Sequence, residues 1–264
     1  MRYFLEVSYD GAAFHGYQFQ ETGPTVQAAV DDALQKLLRH PVTTVPAGRT
    51  DTGVHAEQQF IHFDTDRPID PQFLLKINGI LQQEIGVRAL HQCLWADMSA
   101  RFSVQRRTYR YRILLGKEPL RRPYAWWLRH AMSLDDLNAA SATLLRYSDF
   151  KTFSKLGNQK TTICTIHEAR WEQQGDELHF YLTGNRFLRG MVRLLVGTLV
   201  QVGQGRMTVE DFERRLAAAD RRLSMSSAPA QGLALYRVTY PEGSLLRIQQ
   251  LGPGRADLEA FRTE

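Results

Sequence analysis

Residues 2–9 read RYFLEVSY and place Tyr3, Leu5, Val7 and Tyr9 on one face of an alternating run. A period of two marks a strand buried on one side. Working outward, TVQAAVDDALQKLLRH (25–40) puts Val26, Val30, Ala33, Leu37 and Leu38 at helical spacing behind Pro24, with Thr25 as a candidate cap. PVTTV (41–45) and EQQFIHFDTD (57–66) read as strands, PQFLLKINGILQ (71–82) as a helix and GVRALHQCLW (86–95) as a strand. The first hundred residues therefore run βαββαβ, a split βαβ or ferredoxin-like unit.

The second half repeats that order more loosely. RRTYRYRILLG (106–116) reads as a strand, and SLDDLNAASATLLRY (133–147) as a helix with Ser133 and Asp136 in a capping box. TICTIHEARWEQQGDELHFYLTG (162–184) reads as two strands about a Gly-Asp turn. RFLRGMVRLLVGTLVQVG (186–203) reads as an apolar helix, TVEDFERRLAAAD (208–220) as a helix capped by Thr208, and GLALYRVTY (232–240) as a closing strand. The expected fold is α+β, two similar subdomains with mostly antiparallel sheets over residues 1–104 and 105–243. A polar tail is expected over 244–264.

Composition fits a globular chain, with 43% hydrophobic and 23% charged residues in 264. No apolar run approaches bilayer length, and the alternating N-terminus is unlike a signal peptide. Two distant cysteines, Cys93 and Cys164, suit free thiols in a reducing cytoplasm. The net charge is +5, and of 33 basic residues only six are lysine. Arginine presents a rigid fork of donors suited to phosphate.

PAGRTDTGVHA (46–56) is the least core-like stretch. Gly48 and Gly53 open backbone angles closed to other residues, and Thr50 and Thr52 offer local hydrogen bonds. Such a loop holds Asp51 in one orientation, and an Arg49 side chain reaching it would favour the ionised carboxylate. A fixed, ionised carboxylate suits nucleophilic or electrostatic catalysis. Taken alone, the loop favours the plainer reading, an aspartate that ties down its own turn. Asp51-Thr52-Gly53 also spells the Asp-Thr-Gly of aspartic proteases. A single copy would demand a homodimer, and a neighbouring guanidinium opposes the shared proton such enzymes need.

Strand alternation in RRTYRYRILL puts Tyr109, Tyr111 and Ile113 on one face and Thr108, Arg110 and Arg112 on the other, with Arg101, Arg106 and Arg107 upstream. Guanidinium for phosphate and ring for base is the composition of nucleic-acid sites. Arg186, Arg189 and Arg193 fall at i, i+3 and i+7, a basic stripe on an otherwise apolar helix. Arg193 lies deepest in that run and is the candidate to line a cleft. Arg214, Arg215, Arg221 and Arg222 are expected on a solvated surface, adding a diffuse positive field. The eight histidines show no metal-ligand spacing, and no phosphate-binding, dinucleotide or serine-elbow motif occurs. Chemistry without metal or cofactor is expected.

AGRTDTGVHA, YDGAAFHGYQ, ARFSVQRRTYRYRI and NRFLRGMVRLLVGTL together resemble the signatures of the TruA family of tRNA pseudouridine synthases, in order over about residues 1 to 242. Thr52, Tyr17 and Gln231 stand where that family usually has alanine, tryptophan and glutamate, and NGILQQEIGV lacks its proline. The resemblance implies a cofactor-free isomerase that converts uridine to pseudouridine on the 3′ side of the tRNA anticodon stem-loop. It implies two α/β subdomains around a basic cleft, and a homodimer. By motif, Asp51 attacks C1′ of the ribose or C6 of the base. Arg49 pairs with Asp51 and holds the flipped nucleotide, Tyr109 stacks on the base and helps remove the C5 proton, and Arg193 binds the aspartate or a phosphate. Arg107, Arg110 and Arg189 are the further candidates for substrate binding. A non-catalytic RNA-binding paralogue is the alternative, the homodimeric protease a remote one.

Overall fold

The opening alternation folds as β1 (Arg2–Tyr9), with Tyr3, Leu5, Val7 and Tyr9 buried on one face and Phe4 buried on the other. The computed structural model describes residues 1–155 and 161–252. By internal contacts the chain divides into two units, Met1–Gln105 with the chain from Arg237 onward, and Arg106–Tyr236.

In the first unit, β1 is followed by α1 (Val26–Leu38), β2 (Val45–Pro46), β3 (His55–Asp64), α2 (Phe73–Ile80) and β4 (Ile85–Cys93). Thr25 caps α1 by accepting from the Ala28 N–H at 3.3 Å, and Arg39 ends it in the left-handed region. β1 lies between β3 and β4, antiparallel to both, and β2 adds a short antiparallel pair to β3. β2 is shorter and later than the strand expected at 41–45. Thr44 gives its N–H and hydroxyl to Asp31, at 3.0 and 2.6 Å, and its carbonyl accepts from Gln27 at 2.9 Å. A residue whose backbone is spent on helix side chains cannot also serve a ladder.

The polar tail expected from residue 244 is instead a strand through Gln250. Leu245–Gln250 forms β10, antiparallel on β4. Gln249 holds it to the start of α2, accepting from the Leu74 N–H at 3.2 Å and donating to the Asp70 carbonyl at 2.8 Å. Residues 253–264 of the expected tail lie outside the described residues.

The second unit runs β5 (Arg106–Leu114), β6 (Trp126–Trp127), α3 (Leu134–Thr143), β7 (Ile166–Gln174), β8 (Glu177–Gly184), α4 (Met191–Gly203), α5 (Val209–Ala217) and β9 (Leu233–Thr239), whose last three residues belong to the first unit. β8 lies between β5 and β7, antiparallel to both, and β6 is a short parallel addition to β5. Ser133 and Thr208 cap α3 and α5, accepting from the Asp136 and Asp211 N–H groups. The protein is therefore mixed α/β with mostly antiparallel sheet.

The helix expected from Arg186 begins at Met191. Gly190 is left-handed, with φ 71°, and breaks the run. Arg186 and Arg189 thus lie in the turn before α4, and the three-arginine helical stripe does not form. Of the expected surface arginines, Arg214 pairs with Asp211 and Arg222 with Asp220. Arg215 and Arg221 donate to the Leu223 and Ser154 carbonyls.

Candidate active site

The segment from Ala47 to Val54 connects β2 to β3 and is fixed mainly through its backbone. The Ala47 N–H donates to the Phe60 carbonyl at 2.7 Å, and the Gln59 amide to the Gly48 carbonyl at 2.6 Å. Thr50 is buried, its hydroxyl 2.8 Å from that of Tyr9 and its carbonyl accepting from the Tyr17 N–H at 3.1 Å. The Asp51 carbonyl accepts from the Val54 N–H at 3.1 Å around Gly53, whose φ is 75°. That left-handed angle at the third position of the turn is one that glycine adopts without strain.

Residues 9–17 form a strap laid against this loop. A Cβ on Gly11 would come 2.0 Å from the Val54 carbonyl oxygen. One on Gly16, whose φ is 91°, would come 2.9 Å from the Thr50 oxygen and 3.3 Å from the Thr52 nitrogen. His55 Nδ1 accepts from the Gly11 N–H at 3.1 Å and lies 3.0 Å from an Asp10 oxygen. The two glycine-bearing motifs of the sequence, 40 residues apart, are thus one object in space. Tyr17, at the usual tryptophan position, is fully buried, its hydroxyl 3.4 Å from that of Thr44, and burial raises its pKa.

Asp51 is half-buried and Arg49 exposed. Among the described residues the Asp51 carboxylate has no hydrogen-bond or ion-pair partner, so it does not staple its own turn. The expected pairing of Arg49 with Asp51 is not formed in this structure. Lost hydration, and then the charge of Arg101, lower the Arg49 pKa. Because the loop is held through Thr50 and main-chain atoms, neither charged head is needed to keep its shape.

In the second unit, Tyr109 is buried, its ring edge-on to Phe187 at 5.1 Å between centroids. Its neighbour Tyr111 is a packing residue. The hydroxyl donates to the Pro229 carbonyl at 2.8 Å, the ring lies where a Gly232 side chain would be, and burial raises its pKa. Arg107 donates to the Asn185 carbonyl at 2.7 Å, bracing the turn that carries Phe187. Arg110 is buried with its guanidinium 5.1 Å from the Tyr236 ring centre, while Arg189 is exposed. Arg193 is half-buried on the first turn of α4, where its Nε donates to the Ala228 carbonyl at 2.7 Å. That bond uses one of five guanidinium N–H groups.

Sequence reasoning missed Tyr9, Gly11, Gly16 and Phe187 as supports of these side chains. Their signal was present in the glycines of YDGAAFHGY and the aromatic of NRFLRG, whose partners are far along the chain. Among the described residues no group of three or more His, Cys, Asp or Glu side chains could hold a metal ion, and no helix is long and apolar enough to cross a membrane.

A family model described as tRNA pseudouridine synthase matches residues 141–241. The match lies almost wholly in the second unit and leaves out the Asp51 loop, but longer likenesses span both. The tRNA pseudouridine synthase A of Parabacteroides distasonis is 41% identical over 244 residues, 91% of this chain and 96% of that protein. That of Bacteroides thetaiotaomicron is 40% identical over 246 residues, 91% of each chain. That of Bacillus licheniformis is 37% identical over 246 residues, 91% of this chain and 99% of its own. The chain belongs to the tRNA pseudouridine synthase A family.

Proposed function

We propose that this chain isomerises uridine to pseudouridine in the anticodon stem-loop of tRNA, with Asp51 as the nucleophile. The reaction breaks the C1′–N1 bond, makes a C1′–C5 bond between the same two partners, releases the C5 proton and takes up a proton at N1, so nothing is oxidised or reduced. The observation that carries the reading is a half-buried carboxylate with no partner among the described residues, on a loop whose shape is already fixed by other atoms. Such a group meets a ribose or base without first breaking bonds of its own, which is the preorganisation catalysis needs.

Arg49 has an exposed guanidinium that loses some hydration beside Arg101, which suits a phosphate or a flipped nucleotide better than a structural ion pair. Tyr109 stacks on the extruded base, its ring already set at a right angle by Phe187. Extrusion costs a few kcal/mol, and stacking offsets roughly 1–3 kcal/mol of it. Arg193 meets the carboxylate or a phosphate with the donors that Ala228 leaves over, and Arg107, Arg110 and Arg189 add to substrate binding.

The strand order β4-β1-β3-β2 of the first unit supports a ferredoxin-like reading of it. The second unit's chain order βαββααβ, with the two-residue β6 set aside, supports the same for its neighbour. A basic cleft, a homodimer, a cytoplasmic location and cofactor-free turnover complete the proposal. The protease alternative rests on three letters of sequence, and the relatives named above are tRNA pseudouridine synthases.

Incubation with tRNA tritiated at uridine C5 tests the reading. Tritium released into water by the wild type, and none by Asp51→Asn at equal tRNA binding, is the expected result. Binding without release by the wild type makes the chain an RNA-binding module instead.

A further inference from the structure

Just before β5 the chain makes a turn cinched at several points. The Ser103 N–H donates to the Ser99 carbonyl at 3.0 Å, the Ser99 N–H to the Ser103 hydroxyl at 3.0 Å, and the Arg101 N–H to the Ser99 hydroxyl at 3.3 Å. Two more bonds fasten it to the first unit. The Ala100 N–H donates to His62 Nδ1 at 2.9 Å, and the Tyr240 hydroxyl donates to the Ala100 carbonyl at 2.6 Å. Burial and the charge of Arg2 push the His62 pKa down to about 4, so its ring stays a neutral acceptor near pH 7.

This rigid turn holds the most exposed aromatic ring among the described residues. Phe102 is 79% exposed, and the Arg101 guanidinium lies over its ring, 5.1 Å from the centre. Burying such a side chain would stabilise the fold, and the turn keeps it in water. A phenyl ring with a cation over it matches one nucleotide, with ring for base and guanidinium for phosphate. Arg101 is close enough for its charge to act on Arg49, which flanks Asp51. Two cations held near one another suit a polyanion and oppose a basic or apolar partner.

We propose that Phe102 and Arg101 form a stacking subsite for a nucleotide flanking the target uridine, one that the turn presents ready-made. The subsite rests on the reading of the chain as a tRNA pseudouridine synthase. Phe102 binds substrate and takes no part in bond making.

The test uses full-length protein and an anticodon stem-loop RNA tritiated at uridine C5. Phe102→Ala is expected to raise KM roughly 5- to 150-fold, the loss of one stacked base, with kcat and melting temperature little changed. Phe102→Trp restores KM and Phe102→Leu does not, because leucine keeps apolar bulk without a π face. An unchanged KM in Phe102→Ala overturns the subsite, as does a leucine variant that rescues as well as tryptophan. A change of oligomeric mass in Phe102→Ala also overturns it, by making Phe102 a contact between copies. None of these touches the parent reading, which fails only if the wild type releases no tritium.

Discussion

Each unit joins its second and third main strands across an aspartate, and the two junctions differ in almost every respect. In the second unit β7 and β8 are joined by Gly175 and Asp176 alone, with Gly175 at φ 64°. Asp176 is bound by Arg121 at 2.8 Å, which lowers its pKa. In the first unit the junction of β2 and β3 is a loop from Ala47 to Val54. Its aspartate has no partner among the described residues, and its backbone is braced by the strap, Tyr9 and Gln59. A carboxylate that makes a turn is consumed by it. One that is kept for chemistry needs other atoms to make the turn in its place.

Exchanging the two aspartates is the severest trial of that contrast. Asp51→Asn is expected to lower tritium release on the order of 10⁴-fold or more, as removal of a nucleophile does, at nearly unchanged tRNA affinity. Asp176→Asn leaves turnover intact and lowers the melting temperature slightly. Equal losses of turnover in the two variants would erase the distinction. Gly11→Ala asks whether the strap really sets the loop. A Cβ 2.0 Å from the Val54 oxygen forces a displacement, and a misplacement near 1 Å costs about 100-fold in kcat. Steady-state kinetics that match the wild type would show the strap to be passive.

Tyr111→Phe probes the packing of the second unit, leaving the Pro229 carbonyl without its donor. A loss of about 1–3 kcal/mol in denaturant unfolding is expected, with the C5-proton reaction retained. Acid separates the units more gently. Burial holds His62 and His91 of the first unit at about 4, below the ordinary 6.5. Between those values the unfolded chain binds more protons, so stability is complete above pH 6.5 and is lost as pH falls toward 4. His179 of the second unit is also lowered by burial, but Glu177 at 2.7 Å opposes the shift. Hydrogen-exchange protection factors are therefore expected to fall more in the first unit between pH 7 and pH 5, and a His62→Gln, His91→Gln double variant flattens the difference. The smallest effect belongs to Arg214→Ala with Arg222→Ala. Both arginines already face carboxylates, so tRNA affinity and its salt slope should change less than twofold.

Where a local rule decides an element, the sequence sufficed. Thr25, Ser133 and Thr208 cap the helices they were expected to cap, and β1 buries the face that its alternation marks. It misled where a non-local partner intervenes. β2 is cut short because Thr44 answers to Asp31 and Gln27, and β10 exists because β4 offers it an edge. Phe187 and Leu188 continue the apolar pattern of α4 backward, but Gly190 has already broken the helix, and periodicity does not see a backbone angle. The glycine loop was legible as a constraint on Asp51. That Gly11 and Gly16 of a distant segment would also seat the loop needed the fold.

The seat between strap and loop is main chain against main chain, while Ala12 and Ala13 on the strap face solvent. Those two alanines are accordingly open ground for a reporter. A fluorophore attached through Ala13→Cys would ride within a few residues of the glycines that seat the Asp51 loop. A change in its signal would report any shift of the strap against the loop.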